Sequence, residues 1–200
     1  MKILQYNYLS DRSIKEIRRK SLHILTILYP IVYNLIPYNT ALMISASLII
    51  IDLIFETIRL LYPSVNKILL KIFEGTYREK EKENISTLIW TLSGAFITIF
   101  LFPEDKKIVT LSLLYLALAD SIAAIVGVMF GRIKLGSRGK SLEGSLAFFI
   151  MAFICGIFFV NPLYAFIAAF VGAAIEFLPL PLDDNFILPI FISLLLSILI

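Results

Sequence analysis

The chain has 200 residues, of which 59% are hydrophobic and only 16% are charged, and it carries a formal net charge of +3. Soluble domains contain about 45–50% apolar and about 25% charged residues, so this composition excludes most soluble folds. Apolar runs long enough to cross a bilayer recur from Ser21 to Ile200. The lone cysteine, Cys155, excludes an intrachain disulfide. The sequence therefore predicts an all-α, polytopic membrane protein.

Seven apolar segments are predicted to cross the membrane as helices, because one crossing needs about 20 predominantly apolar residues. The segments are apolar on every face, which excludes the alternating strands of a β-barrel. We therefore expect a basic N-terminal segment at 1–20 and one transmembrane catalytic domain at 21–200. The predicted crossings are residues 21–37, 40–61, 85–102, 108–127, 143–160, 163–178 and 186–200.

Lysine and arginine are concentrated in alternate loops or next to them, with Lys106 and Lys107 as the exceptions. Because basic loops stay on the cytoplasmic side, the N-terminus is predicted to be cytoplasmic. The C-terminus is then outside. Helical spacing of apolar residues from Val65 to Phe73 predicts an amphipathic helix at the membrane surface. The loops predicted to be cytoplasmic are 62–84, 132–142 and 179–185.

Ionisable residues occur inside the predicted crossings, where each costs at least about 2.5–3.5 kcal/mol and is a candidate for function. Small residues line the fourth and sixth crossings at 117–131 and 165–176, and such rows let helices approach closely. If the two rows face each other, Asp120 and Glu176 both point to the shared interface. The alternative is that the small residues serve packing alone and that the acids pair with arginines. The polar residues in question are Asp52, Glu56, Arg59, Asp120 and Glu176, followed by Asp183, Asp184 and Asn185.

The loop at 131–145 holds four glycines and four basic residues in fifteen positions. Such a loop suits phosphate, because glycine amides converge on an anion, basic side chains neutralise it and a helix N-terminus favours it. A Walker A motif is excluded, since Lys134 stands where that motif needs a glycine. The alternative is a loop that only marks topology and contacts lipid headgroups.

The segment 119–145 resembles the signature of CTP-dependent lipid-alcohol kinases, the family of dolichol kinase, phytol kinase and CTP-dependent diacylglycerol kinase. The similarity consists of Ala119-Asp120, the spaced Gly127 and Gly131-Arg132, and the string from Lys140 to Ser145. Ala119 stands where the family commonly has glycine. Weaker similarities are Arg19-Lys20 before His23, Asp52 with Glu56 and Arg59, and Glu176 with the later Asp183-Asp184-Asn185.

The resemblance implies transfer of the γ-phosphoryl group of CTP to a membrane lipid alcohol with a divalent cation, Mg²⁺, at a site facing the cytoplasm. No nucleic-acid partner is expected, and the oligomeric state is open. The implied catalytic residues are Asp120, Lys140 and Glu143; the nucleotide-binding residues are Arg132, Lys134, Gly139, Lys140, Ser141, Gly144 and Asn185; the metal ligands are Asp120, Glu176 and Asp184; the lipid-contacting or supporting residues are His23, Asp52, Glu56, Arg59 and Asp183.

The acceptor lipid is left open among dolichol or another polyprenol, phytol or geranylgeraniol, and diacylglycerol, with an isoprenoid alcohol favoured. A cytidylyltransferase that makes a CDP-lipid is the first alternative function, although its Lys-Asp and His-Gly-Gly type signature is missing from the sequence. A secondary transporter is the second alternative. The sequence lacks the paired inverted halves with broken helices that many transporters contain.

Overall fold

The computed structural model describes residues 11–135, 140–178 and 181–200, and over these ranges the protein is all-α apart from one short hairpin. A 3₁₀ turn at Ile24–Ile27 joins the first two helices, and a π-helical turn at Tyr115–Ala119 makes the helices Lys106–Leu114 and Asp120–Met129 continuous. The helices are α1 Asp11–His23, α2 Leu28–Leu35, α3 Tyr38–Leu61, α4 Pro63–Ile72, α5 Thr87–Leu101, α6 Lys106–Leu114, α7 Asp120–Met129, α8 Leu142–Gly156, α9 Pro162–Phe177 and α10 Asp184–Leu199; antiparallel strands β1 Lys134–Leu135 and β2 Lys140–Ser141 form the hairpin.

Two helices in the described ranges are long and apolar enough to cross a membrane, Tyr38–Leu61 and the continuous helix Lys106–Met129. Helices α5, α8, α9 and α10 are also apolar but have only 15 or 16 residues. The protein is a membrane protein. The seven crossings and the cytoplasmic N-terminus stay predictions.

Polar side chains mark where several of the later helices begin. Asp105 accepts a hydrogen bond from the Ile108 amide at the start of α6, and Asp183 does the same for the Asn185 amide at α10. Asn161 immediately precedes α9 and accepts a hydrogen bond from the Leu163 amide, and Pro162 occupies the first turn. Such side chains satisfy amides that lack a partner within the helix. The boundaries of these helices therefore follow from local chemistry as well as from hydropathy.

The continuous helix α6–α7 is the centre of the bundle, with α1, α2, α8 and α10 packed around it and α3 on the outside against α5. The two rows of small residues do not pack on each other, because α8 packs against both α7 and α9. Each row of small residues therefore faces α8. Gly127 lies against Gly144, and Gly172 lies against Phe148.

The N-terminal boundary predicted after residue 20 falls inside α1, which packs on α7. Lys20 is consequently part of the bundle and only 5% exposed. The helix predicted after the second crossing is present as α4, which has Ile68 and Ile72 on its exposed face. Its place at the membrane surface stays a prediction.

Candidate active site

Asp120 is the acid at the centre of the site and begins α7 directly after the π-helical turn. It is 6% exposed and forms a buried ion pair with Lys20 of α1. His23, one turn further along α1, has its Nε2 atom 3.7 Å from Asp120 Oδ2. An isolated charge buried at this position would be costly. The ammonium group of Lys20 and the carboxylate of Asp120 therefore stabilise each other.

A second ion-pair group is centred on Lys140, the first residue of β2. Its Nζ atom lies 2.7 Å from Asp184 Oδ2 and 3.0 Å from Glu176 Oε1, and it donates to the Glu176 carbonyl. Ser145 Oγ donates to Glu176 Oε2 over 3.2 Å. The loop between α7 and α8 is thereby joined to the end of α9 and the start of α10.

The charges of Lys140 and Asp184 stabilise each other strongly. Burial alone lowers the pKa of Lys140, but Asp184 and Glu176 more than offset it and the resulting pKa is raised. Burial likewise favours a higher pKa for Asp184, yet Lys140, with help from Lys20, holds that pKa well below its ordinary value. Both groups are therefore charged at neutral pH.

The two ion-pair groups act on each other and form one site. The charge of Asp120 contributes to the raised pKa of Lys140, and that of Lys20 contributes to the lowered pKa of Asp184. Residues from α1, α7, β2, α9 and α10 meet here, at one end of the bundle. We refer to Lys20, Asp120, Lys140, Glu176 and Asp184 as the lysine–carboxylate cluster.

Lys20 is the cluster member that sequence reasoning missed as a site residue. Lys20 lies in a run of basic residues, which indicates membrane topology. The weak similarity of Arg19-Lys20 to the lipid-alcohol kinase family is the one feature of the sequence that points to a role in the site. The spacing of Lys20 and His23 on one face of a helix was the available signal. A partner for Asp120 could not be chosen without knowing that α1 packs on α7.

The glycines of the signature pack helices rather than leave amides free. Gly144 donates its N–H to the Ser141 side chain, which caps α8, so this amide is not available for the predicted phosphate contact. Ser141 is buried among Gly127, Gly131 and Gly144, where added Cβ atoms would lie 2.6 to 3.2 Å from its hydroxyl. The predicted role of Gly139 falls outside the described residues.

We expect Gly144→Ala to destabilise the protein by about 1–3 kcal/mol, the usual cost of overpacking. Its Cβ would lie 2.8 Å from the Ala123 carbonyl, which belongs to helix backbone and cannot move freely. Gly127→Ala is the matched control, because its Cβ meets only the Ser141 hydroxyl at 3.0 Å and Gly144 at 3.6 Å. Thermal unfolding in detergent should rank Gly144→Ala well below Gly127→Ala. Equal melting temperatures would contradict the packing role.

The remaining loop residues lie toward water. Arg132 and Lys134 are exposed, so both can meet an anion from solution. Glu143 is half-buried, and its carboxylate accepts hydrogen bonds from the Arg132 and Ile133 amides over 3.0 and 3.3 Å. The structure thus does not bring Glu143 into the cluster and gives it a role in holding the hairpin to α8.

Arg59 holds the segment before α5 against α3. Its guanidinium is fully buried, pairs with Glu56 at 2.6 Å and donates to the carbonyls of Lys82 and Asn84. Glu56 also accepts from the Ser86 amide over 3.1 Å. The alternative in which an intramembrane acid pairs with an arginine therefore holds for Glu56, whose partner Arg59 lies on the same helix. Both predicted supporting residues thus fix a loop.

Arg59→Met is expected to lower the free energy of unfolding by about 3 kcal/mol, because it leaves Glu56 buried without its cation. Lys67→Met, which removes an exposed charge from α4, is the control and should change stability little. Denaturant titration of both variants in the same detergent measures the difference. Similar stabilities for the two would show that Arg59 does not anchor this segment.

Asp183 and Asn185 shape the start of α10 beside the cluster. Asp183 accepts from both the amide and the side chain of Asn185. Burial, together with the neighbouring charge of Asp184, raises the pKa of Asp183. Asn185 is 2% exposed and its Oδ1 atom has no hydrogen-bond partner. The nucleotide contact predicted for Asn185 stays a prediction.

The predicted metal ligands have suitable chemistry, since carboxylate oxygens are the ligands that Mg²⁺ uses. Over the described ranges, however, no three His, Cys, Asp or Glu residues are grouped so as to hold a metal ion. Lys20 lies on Asp120, and Lys140 lies on Glu176 and Asp184. These ammonium groups take the positions that a metal would need, so in this arrangement the residues do not form a metal site.

A membrane protein whose buried lysines and carboxylates meet at one end of a helix bundle has the components for phosphoryl chemistry. No protein-family model matches the chain, and no solved structure matches it. An uncharacterised protein of Rickettsia prowazekii is 31% identical over 88% of this chain and 90% of its own length. CTP-dependent diacylglycerol kinase 1 of Schizosaccharomyces pombe is 28% identical over 92% of this chain and 93% of its own.

CTP-dependent diacylglycerol kinase 1 of Eremothecium gossypii is 33% identical over 54% of this chain, although the match spans only 34% of that kinase. The chain belongs to the CTP-dependent lipid kinase family. Proteins of this family are phosphotransferases with an alcohol group as acceptor. The resemblance found in the sequence is thereby confirmed at the level of the family.

Proposed function

We propose that the protein transfers the γ-phosphoryl group of CTP to the hydroxyl of a membrane lipid alcohol. The observation that carries the proposal is the lysine–carboxylate cluster, in which two lysines form ion pairs with three acids at one end of an apolar bundle. Phosphoryl transfer needs cations around the phosphate oxygens and a carboxylate near the attacking hydroxyl. The cluster contains both kinds of group.

The lysines can exchange partners when the nucleotide binds. Phosphate oxygens compete with the carboxylates for Lys20 and Lys140, and the exposed Arg132 and Lys134 attract the triphosphate from water. Asp120 is then released to accept a proton. The lipid oxygen attacks the γ-phosphorus, the bond from that phosphorus to the bridging oxygen breaks, CDP leaves and the hydroxyl proton goes to Asp120.

We propose that the site faces the cytoplasm, with the N-terminus on that side and about seven helices across the bilayer. All members of the cluster lie at the same end of the bundle, and a charged nucleotide reaches that end only from water. The distribution of basic residues supports the same orientation. Tagged N- and C-termini probed for protease access in sealed vesicles would test it.

The acceptor lipid is proposed at the level of a long-chain or diacyl alcohol. Because several relatives carry the name of a diacylglycerol kinase, diacylglycerol is the first acceptor to assay. Polyprenols, phytol and geranylgeraniol are assayed beside it, since the isoprenoid preference predicted from the sequence is untested.

The decisive experiment supplies purified protein with CTP labelled at the γ-phosphate and with each lipid in mixed micelles. Label on the lipid supports the kinase, and ATP labelled in the same position measures the preference for CTP. Label that reaches lipid only from the α-phosphate would replace the kinase by a cytidylyltransferase. A parallel series with chelator, Mg²⁺ or Mn²⁺ measures whether a divalent cation must accompany the nucleotide.

A further inference from the structure

A cavity of about 340 Å³ lies where α1, α3 and the start of α5 meet, beneath residues 73–81. His23 lines this cavity and also lies 3.7 Å from Asp120 Oδ2. The cavity is therefore next to the lysine–carboxylate cluster. The transfer step described above requires an acceptor to reach Asp120, and the cavity offers a route to it.

The opening of the cavity is apolar and faces the outside of the bundle. Leu22, Phe55, Phe73 and Leu88 all line it, and each is 38–49% exposed. Exposed apolar side chains on membrane helices face hydrocarbon, where they lie against acyl chains. A lipid tail can therefore remain in the bilayer while the lipid head enters the cavity.

Inside the cavity, most polar side chains already have partners. Glu56 binds Arg59 and the Ser86 amide, and Glu81 binds Thr87 and the Arg78 amide. Among the buried atoms of the described residues, two that line the cavity lack a hydrogen-bond partner.

These two atoms are Asp52 Oδ2 and His23 Nε2. Asp52 is only 7% exposed, and a buried polar atom without a partner is costly unless a ligand supplies one. A carboxylate oxygen needs a hydrogen-bond donor. An apolar cavity with an unpartnered acceptor therefore fits a lipid that carries a hydroxyl group.

We propose that this cavity binds the head of the acceptor lipid and that Asp52 accepts a hydrogen bond from the lipid hydroxyl in the docked complex. The inference rests on the proposed function, because it names the acceptor subsite of the same reaction. His23 borders both the docking position and Asp120, so the hydroxyl turns past His23 to reach the transfer step.

Asp52 also distinguishes the substrate from the product. A lipid phosphate has lost the hydroxyl donor and carries about −1.5 to −2 charge at neutral pH. The Asp52 carboxylate attracts the alcohol and repels the phosphate, with Glu56 lining the same cavity. Asp52 is thus a specificity-determining residue that favours entry of a neutral alcohol and release of its anionic product.

Steady-state kinetics of Asp52→Asn and Asp52→Leu test this role. Loss of a hydrogen bond to a charged group should raise KM for the lipid alcohol roughly tenfold or more, with the larger change in the leucine variant. KM for CTP and kcat should change little, and inhibition by the lipid phosphate should become stronger in both variants. Glu74→Gln, which changes an exposed acid outside the cavity, should behave as wild type.

Unchanged KM for the lipid in both Asp52 variants would overturn the proposal, as would unchanged inhibition by the product. The unchanged KM for CTP also serves as the folding control, because a misfolded variant would lose nucleotide binding as well.

Photolabelling gives a measurement that does not depend on turnover. A long-chain alcohol with a diazirine beside its hydroxyl is bound to the wild-type protein without CTP, and the labelled peptides are sequenced. Label should lie near Leu22, Phe55 or Leu88, and unlabelled alcohol should compete better than its phosphate.

The kinase function and the lipid-binding role of the cavity can be refuted independently by these experiments. Labelling of the cavity by a protein that transfers no phosphate from CTP would remove the proposed function and leave the lipid site. Phosphorylation of lipid with label confined to other surfaces would remove the cavity and leave the kinase.

Discussion

Asp120→Asn should lower kcat for lipid phosphorylation by about 10³, within the range for loss of a general base. The amide that replaces the carboxylate cannot accept the proton of the lipid hydroxyl. It also leaves Lys20 buried without its anion, since the two side chains form an ion pair. The measurement is the rate of label transfer from γ-labelled CTP at saturating lipid, with Glu104→Gln, an exposed acid, as the control of matched chemistry.

A double variant separates the effect of Asp120→Asn on catalysis from its effect on stability. Lys20→Met combined with Asp120→Asn removes both members of the buried pair, so its stability should recover relative to Asp120→Asn alone. Activity should not recover. If the double variant regained the wild-type rate, Asp120 would act only as a structural partner of Lys20. Near wild-type activity of the single variant would exclude the role of Asp120 altogether.

Lys140→Ala should lower kcat/KM for CTP by about 10²–10³, as expected when one charged group that stabilises a phosphoryl transition state is lost. Lys140 is the cation between Glu176 and Asp184, and its raised pKa keeps it charged at neutral pH. Lys140→Arg keeps the charge and should retain part of the activity. Initial rates over a range of CTP concentrations measure both variants.

Lys107→Ala, an exposed lysine at the start of α6, is the control for loss of a positive charge. It should leave KM for CTP unchanged. If Lys140→Ala matched this control, the lysine would serve only to hold α9 and α10 together. A melting temperature taken on the same samples shows whether the loss of activity follows from unfolding.

Most of the helices could be predicted from the sequence because an apolar segment long enough to cross a bilayer favours a helix. The crossing predicted at 40–61 appears as Tyr38–Leu61, and that predicted at 108–127 as Lys106–Met129. Which helices are neighbours could not be predicted. A row of small residues indicates that its helix packs closely on another helix, but it does not identify the neighbouring helix. Gly127 and Gly172 therefore indicated close packing correctly, while their common partner α8 became clear only from the structure.

The acids of the site could be predicted because a carboxylate in an apolar segment stands out. Asp120, Glu176 and Asp184 were all identified, and the structure brings them together around two lysines. Lys20 was harder to assign, since basic residues near a helix end also set topology. The roles of individual acids stay predictions.

Two other features depended on three-dimensional geometry. The Gly144 amide was expected to bind phosphate, yet it caps α8 through Ser141, because a serine at a helix start competes for the same amide. The cavity beside Asp52 was invisible in the sequence, since its lining comes from α1, α3, α5 and residues 73–81. The spacing of residues along the sequence shows which acids share a helix face. It does not show that a cavity lies beside one of them.

The pairing of Lys20 with Asp120 has a consequence for how the protein is made. The two residues are 100 positions apart, so Lys20 leaves the ribosome long before its partner exists. Burying an unpaired lysine in hydrocarbon is costly. The part of α1 that carries Lys20 is therefore expected to stay at the membrane–water interface until α7 has been inserted. Contacts between distant parts of a chain form late. The pair therefore forms only after α7 has been made, and a chain whose synthesis stops before Asp120 cannot complete the lysine–carboxylate cluster.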